Sequence, residues 1–120
     1  MHTLNLALRL ILEIAALGGF GVLAWRSFEG GWRYLAVIAV LVLLMTLWGV
    51  FAVPGDPSRS GNAPIPVPGS VRLALELVVL LGGACAFYWA GHDITAIVLA
   101  GLVVIHYVLW LDRIVWLLQQ

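Results

Sequence analysis

Leu4-Asn-Leu-Ala-Leu-Arg-Leu-Ile-Leu-Glu-Ile-Ala-Ala-Leu-Gly-Gly-Phe-Gly-Val-Leu-Ala-Trp25 is apolar from end to end except at Asn5, Arg9 and Glu13. A stretch of this length matches the roughly 20 residues needed to cross a hydrocarbon core about 30 Å thick. Open strands cannot span lipid, because their backbone amides would lack partners, so the stretch reads as a helix. Three further runs have the same character: Trp32 to Val53, Val71 to Trp89 and Ile94 to Leu118. The expected fold is all-α, a single transmembrane domain over residues 1–120. Its helices lie at about 4–25, 32–53, 71–89 and 94–118, with one long loop at 54–70.

Composition agrees. Hydrophobic residues make up 63% of the chain and charged residues 10%, whereas a soluble domain carries roughly 25% charged residues. A formal net charge of zero argues against a nucleic-acid partner or a polybasic membrane switch. The single Cys85 excludes an internal disulfide and any multi-cysteine metal site. A cleavable signal peptide is not expected: Met1-His-Thr lacks a basic start, and Arg9 and Glu13 interrupt the apolar run.

Gly30-Gly31 ends the first helix, and Trp32 and Arg33 open the second at the membrane interface. Pro54 to Ser70 holds all five prolines, which forbid a continuous helix. Ser70 and Asp93 are the expected N-caps of the third and fourth helices. A weak internal repeat relates Leu8-Arg-Leu-Ile-Leu-Glu-Ile14, followed by Gly18-Gly19, to Val71-Arg-Leu-Ala-Leu-Glu-Leu77, followed by Gly82-Gly83. The repeat implies two helical hairpins. Arg9, Arg59, Arg72 and Arg113 fall on the side of the termini and Arg26 and Arg33 on the other, so the bias of basic residues places both termini in the cytoplasm.

Residues four apart share a helix face. Asn5, Arg9, Glu13, Ala16 and Phe20 form one stripe; Arg72, Glu76, Val79 and Gly83 a second; Thr95, Leu99, Leu102, His106, Trp110 and Arg113 a third. Turning the three stripes inward hides the polar groups from lipid. Glu13 lies nine residues beyond Leu4, or about 13 Å at the helical rise. His106 reads as the middle of the fourth helix. The expected centre is a cluster of Arg9, Glu13, Arg72, Glu76, His106 and Arg113, with Trp110 one turn beyond His106 and able to line a cavity.

Two chemistries fit this cluster. It is a salt-bridge network locking the bundle, in which Arg9 pairs Glu13 or crosses to Glu76 and Arg72 does the reverse. Or it is a proton- or cation-responsive site, with Glu13 and Glu76 titrating and His106 as a relay. The Arg-to-Glu order within each helix is the weaker one, which favours pairing between helices. His106 has no second axial ligand at matching depth, so no haem is expected, and the same shortage of ligands argues against a metal. No nucleophile sits with a base and an orienting acid, so the chain is not expected to be an enzyme. Cys85 reads as a small apolar packer. The glycine pairs permit close helix approach, make a homodimer compatible, and leave scope for a lateral groove holding a lipid or small-molecule ligand.

Leu6-Ala-Leu-Arg-Leu-Ile-Leu-Glu13, Leu47-Trp-Gly-Val-Phe-Ala-Val-Pro54, Val71-Arg-Leu-Ala-Leu-Glu-Leu77 and Ile105-His-Tyr107 together resemble the YrdB-like family of small bacterial membrane proteins. The resemblance covers nearly the whole chain, and its most specific piece is Trp48-Gly49-x-Phe51-x-x-Pro54. It implies four helices in a bacterial inner membrane and no settled activity. A basic residue usually follows that proline in the family, where Gly55 stands here. Glu13 and Ser27-Phe-Glu-Gly30 are also similar to the first hairpin of small multidrug transporters. Those lack an arginine one turn before the glutamate and a second glutamate in the third helix, so the likeness is one of analogy.

Overall fold

Where the sequence is apolar the backbone is helical, in a computed structural model that describes residues 3–56 and 64–120. The elements run α1 (Thr3–Ser27), α2 (Trp32–Val50), β1 (Phe51–Ala52), β2 (Ile65–Pro66), α3 (Gly69–Trp89), α4 (Asp93–Leu109) and α5 (Leu111–Leu118). Arg59 lies outside the described residues, as does the side chain of Asn5. The fold is all-α apart from one short strand pair. α1, α2 and α3 are each long and apolar enough to cross a membrane; α4 and α5 pass that test only as a pair, bent by 74°.

α1 and α3 form the central pair. α2 leans on α1, and α4 packs on α3 and more lightly on α1. The two hairpins therefore meet through their first helices. They meet at the glycines that correspond in the repeat: a methyl group on Gly83 would strike the backbone of Ala16, and one on Gly19 would strike the carbonyl of Gly83. Gly82 faces the ring of Phe20 in the same way. Of these small residues, read as compatible with a lateral groove or a homodimer, Gly19 and Gly83 are buried between α1 and α3, Gly82 is half-buried and Gly18 stays exposed. Around them lie Leu12, Ala16, Leu80, Ala84, Leu99, Val103 and Tyr107, the apolar core. α2 has no buried residue, in keeping with a helix that is apolar all round and peripheral.

Four expectations are corrected. The second helix does not continue to Val53: it ends at Val50, and Phe51–Ala52 pairs in parallel with Ile65–Pro66. This strap tucks Ala52, Val53 and Asp56 under the bundle, where each is buried. The fourth helix is not continuous over 94–118, since it breaks at Trp110 and α5 turns under the bundle. Neither Ser70 nor Asp93 is an N-cap. α3 starts earlier, at Gly69 behind Pro68, and α4 starts at Asp93 itself behind His92, with no side-chain cap bond at either end. Finally, Cys85 is exposed rather than packed.

Candidate functional site

Glu76 is fully buried one turn into α3 from Arg72. Its Oε1 accepts hydrogen bonds from Arg113 Nη1 at 2.7 Å, from the Tyr107 hydroxyl at 2.8 Å and from Arg9 Nη1 at 3.2 Å. Its Oε2 accepts from Arg113 Nη2 at 2.6 Å and Arg72 Nε at 2.7 Å. Arg9 Nη2 stands 2.9 Å from the same oxygen as an ion-pair contact, off the hydrogen-bond angle. An ionised carboxylate offers about four lone-pair sites. Those of Glu76 are filled, so it has no capacity left for a ligand.

Arg113 is the second centre. Its Nη1 and Nη2 grip Glu76, and its Nε and Nη2 grip Asp56 at 3.0 and 2.7 Å. One planar guanidinium thus makes two bidentate contacts, a geometry lysine cannot supply. Its far face lies 5.2 Å from the Trp110 ring. The break at Trp110 is what brings Arg113 here. Arg72 divides its donors: Nε goes to Glu76, while Nη1 donates to the carbonyls of Trp48 at 2.6 Å and Phe51 at 2.8 Å. The last carbonyls of a helix lack intrahelical partners, so Arg72 closes the end of α2. The Trp48 ring lies beneath two cations, 4.7 Å from the Arg72 guanidinium carbon and 5.1 Å from that of Arg9. Such contacts are worth about 0.5–2 kcal/mol each.

Of the residues expected to converge, Arg9, Arg72, Glu76, His106 and Arg113 are buried at this end of the bundle. Of the pairings left open, Arg9 crosses to Glu76 while keeping a longer contact with Glu13, and Arg72 bonds the glutamate of its own helix. His106 lies in the last turn of α4 and not in the middle of a span. It packs edge-on to Tyr107, with ring centres 5.0 Å apart, and near Trp110 at 6.3 Å. Trp110 is buried at the break between α4 and α5. On the third stripe, Thr95 and Leu102 turn outward.

Glu13 stands apart. Its side chain is 23% exposed, and its nearest cation, Arg9 Nε, is 3.8 Å away. It faces a lateral groove of about 260 Å³ between α1 and α2, lined by Leu10, Ile14, Leu17, Leu44, Met45 and Gly49 among others. The Trp48 side chain lines the same groove beside it. The groove lies beside, not between, the glycine pairs.

Three members of the site were missing from the sequence reading: Asp56, Tyr107 and Trp48. Tyr107 follows His106 in a segment whose periodicity was read through the bend. Asp56 sits among prolines and glycines, and nothing local indicates that it is buried. Trp48 ends an apolar run, and nothing in that run marks it as lying under two guanidinium groups. Among the described residues no group of histidine, cysteine, aspartate or glutamate could hold a metal ion.

A family model described as a protein of unknown function, DUF2568, matches residues 7–104. The chain is also similar to the uncharacterized protein YrdB of Bacillus subtilis (strain 168), at 42% identity over 120 residues, covering 100% of this chain and 98% of that protein. No solved structure matches.

Proposed function

The chain belongs to the DUF2568 family, whose function is unknown, and we propose that it is a non-enzymatic, multi-pass membrane protein whose buried ion cluster is a structural clamp rather than a proton path. The observation that carries this reading is the saturation of Glu76 by Arg9, Arg72, Arg113 and Tyr107. A carrier carboxylate must alternate between proton and cargo. Glu76 is held by donors from α1, α3, α4 and α5 at once, and releasing it would strip three buried arginines of the partner they share. The clamp joins the end of each helix to its neighbours on the side of the termini, and the groove beside Glu13 is where a lipid or small amphiphile docks. The excess of arginines on that side supports termini in the cytoplasm of a bacterial inner membrane.

The competing reading is a proton-coupled small transporter or channel worked by Glu13 and Glu76. It loses Glu76 to the clamp and keeps Glu13, which the groove leaves partly open. Thermal unfolding in detergent and proton flux from liposomes separate the two. Under the clamp reading Glu76→Gln is strongly destabilised, Glu13→Gln unfolds close to the parent chain, and neither the parent nor the variants pass protons. A proton flux carried by the parent and abolished by Glu13→Gln, with stability intact, would overturn it.

A further inference from the structure

Among the described residues, three acids and three arginines share the buried end of the bundle: Asp56, Glu76 and Glu13 with Arg9, Arg72 and Arg113. Counted as ionised, they sum to zero. The donors of Arg72 and Arg113 go to Glu76, Asp56 and the carbonyls of Trp48 and Phe51. Among the described residues, Glu13 has just Arg9 Nε at 3.8 Å as a cation within ion-pair distance, with Trp48 beside it on the groove. Its carboxylate therefore has acceptor capacity to spare, and that capacity opens on the apolar groove between α1 and α2. A carboxylate facing apolar surroundings gains from any donor that reaches it.

We infer that this groove binds a neutral single-chain amphiphile whose hydroxyl head donates to Glu13, of the class of long-chain alcohols. The proposal rests on the membrane reading above but not on the clamp. The charge balance selects the head group. An ammonium would leave a net positive charge inside the membrane beside Arg9, and a carboxylate head would leave a net negative one against Glu13. A hydroxyl supplies the missing donor and changes no charge. Size selects the tail: about 260 Å³ falls below the roughly 300–1,000 Å³ of sites for drug-sized ligands, which leaves room for a head and the first part of one chain. Depth excludes the head groups of bulk lipid. Glu13 is ten residues beyond Thr3, about 15 Å along the helix, whereas those head groups stay at the interface.

The test uses the full chain in phospholipid nanodiscs and a long-chain alcohol carrying a photoreactive diazirine. Labelled peptides are mapped after irradiation, with and without excess dodecanol, dodecylamine or laurate. Labelling is expected on the groove segments around Ile14 and Leu44, lowered at least tenfold by dodecanol and little by the amine or the acid. Gly49→Leu provides the blocking variant. Gly49 lines the groove and a Cβ placed there meets no described atom within 4 Å, so the substitution narrows the groove without a clash at its first carbon. It is expected to abolish the dodecanol-sensitive labelling while leaving the thermal unfolding temperature unchanged. Glu13→Ala, which removes the acceptor, is expected to do the same to labelling. Labelling spread evenly over the lipid-facing helices, or retained in both variants, overturns the proposal. So does stronger competition by dodecylamine or laurate. None of these results bears on the stability of Glu76→Gln, so the proposal and the clamp fail separately.

Discussion

Glu76 and Glu13 occupy the same place in two similar helical segments, yet their surroundings separate them. The first is enclosed by three guanidinium groups and a phenol; the second has one cation at 3.8 Å and a partly open side. Breaking a buried ion pair from one side costs about 3–5 kcal/mol, so Glu76→Gln is expected to lose stability on that scale in denaturant titrations. Glu13→Gln should lose less than about 1 kcal/mol, the range of a partly exposed pair. Equal losses at the two sites would contradict the distinction. The sequence made both glutamates visible, because an ionisable residue in an apolar run needs a partner. It could not tell them apart, because the difference is made by Arg113, Tyr107 and Asp56, which are distant along the chain. Asp56 in particular carries no local mark. A carboxylate between Gly55 and Pro57 looks like a turn residue until Arg113 is brought against it.

Elements were legible where periodicity or composition alone shapes them and illegible where a tertiary contact does. The spans of α1, α2 and α3 follow from their apolar runs. The bend between α4 and α5 does not. Sharp kinks nearly always occur at proline, glycine or a local bulge, and Leu109-Trp110-Leu111 offers no proline or glycine. The turn is held instead by the grip of Arg113 on Asp56 and Glu76 and by the seating of Leu117 on Gly69, where any side chain would strike the Leu117 carbonyl. Gly69→Ala should therefore push α5 away and cost at least the roughly 1–3 kcal/mol typical of overpacking. Gly83→Ala should cost a similar amount by parting α1 from α3. Gly101→Ala is the control: it faces open space on α4 and should be neutral or slightly stabilising, since alanine is the better helix former. Circular dichroism melts of the three variants check the set. A stable Gly69→Ala with unchanged tryptophan fluorescence would contradict the seating of α5.

For the whole molecule, the two hairpins are related as the repeat implies in their first helices only. α2 is apolar and unburied, whereas α4 continues into a bent segment that returns to the cluster. The orientation proposed here places the α1–α2 turn outside and the C-terminus inside. With Cys85 replaced by serine, Gly31→Cys and Gln120→Cys each add one exposed thiol at opposite ends. A membrane-impermeant maleimide applied to intact cells is expected to label the first and to reach the second only after lysis; the reverse pattern would invert the topology. The clamp itself is tested most directly by a double-mutant cycle between Glu76→Gln and Arg113→Gln, read from unfolding free energies in detergent micelles. If Arg113 and Glu76 fasten α5 to α3 as described, the coupling energy should fall between about 1 and 3 kcal/mol. Losses that simply add, to within about 0.5 kcal/mol, would show that the two side chains do not act together and would contradict the account.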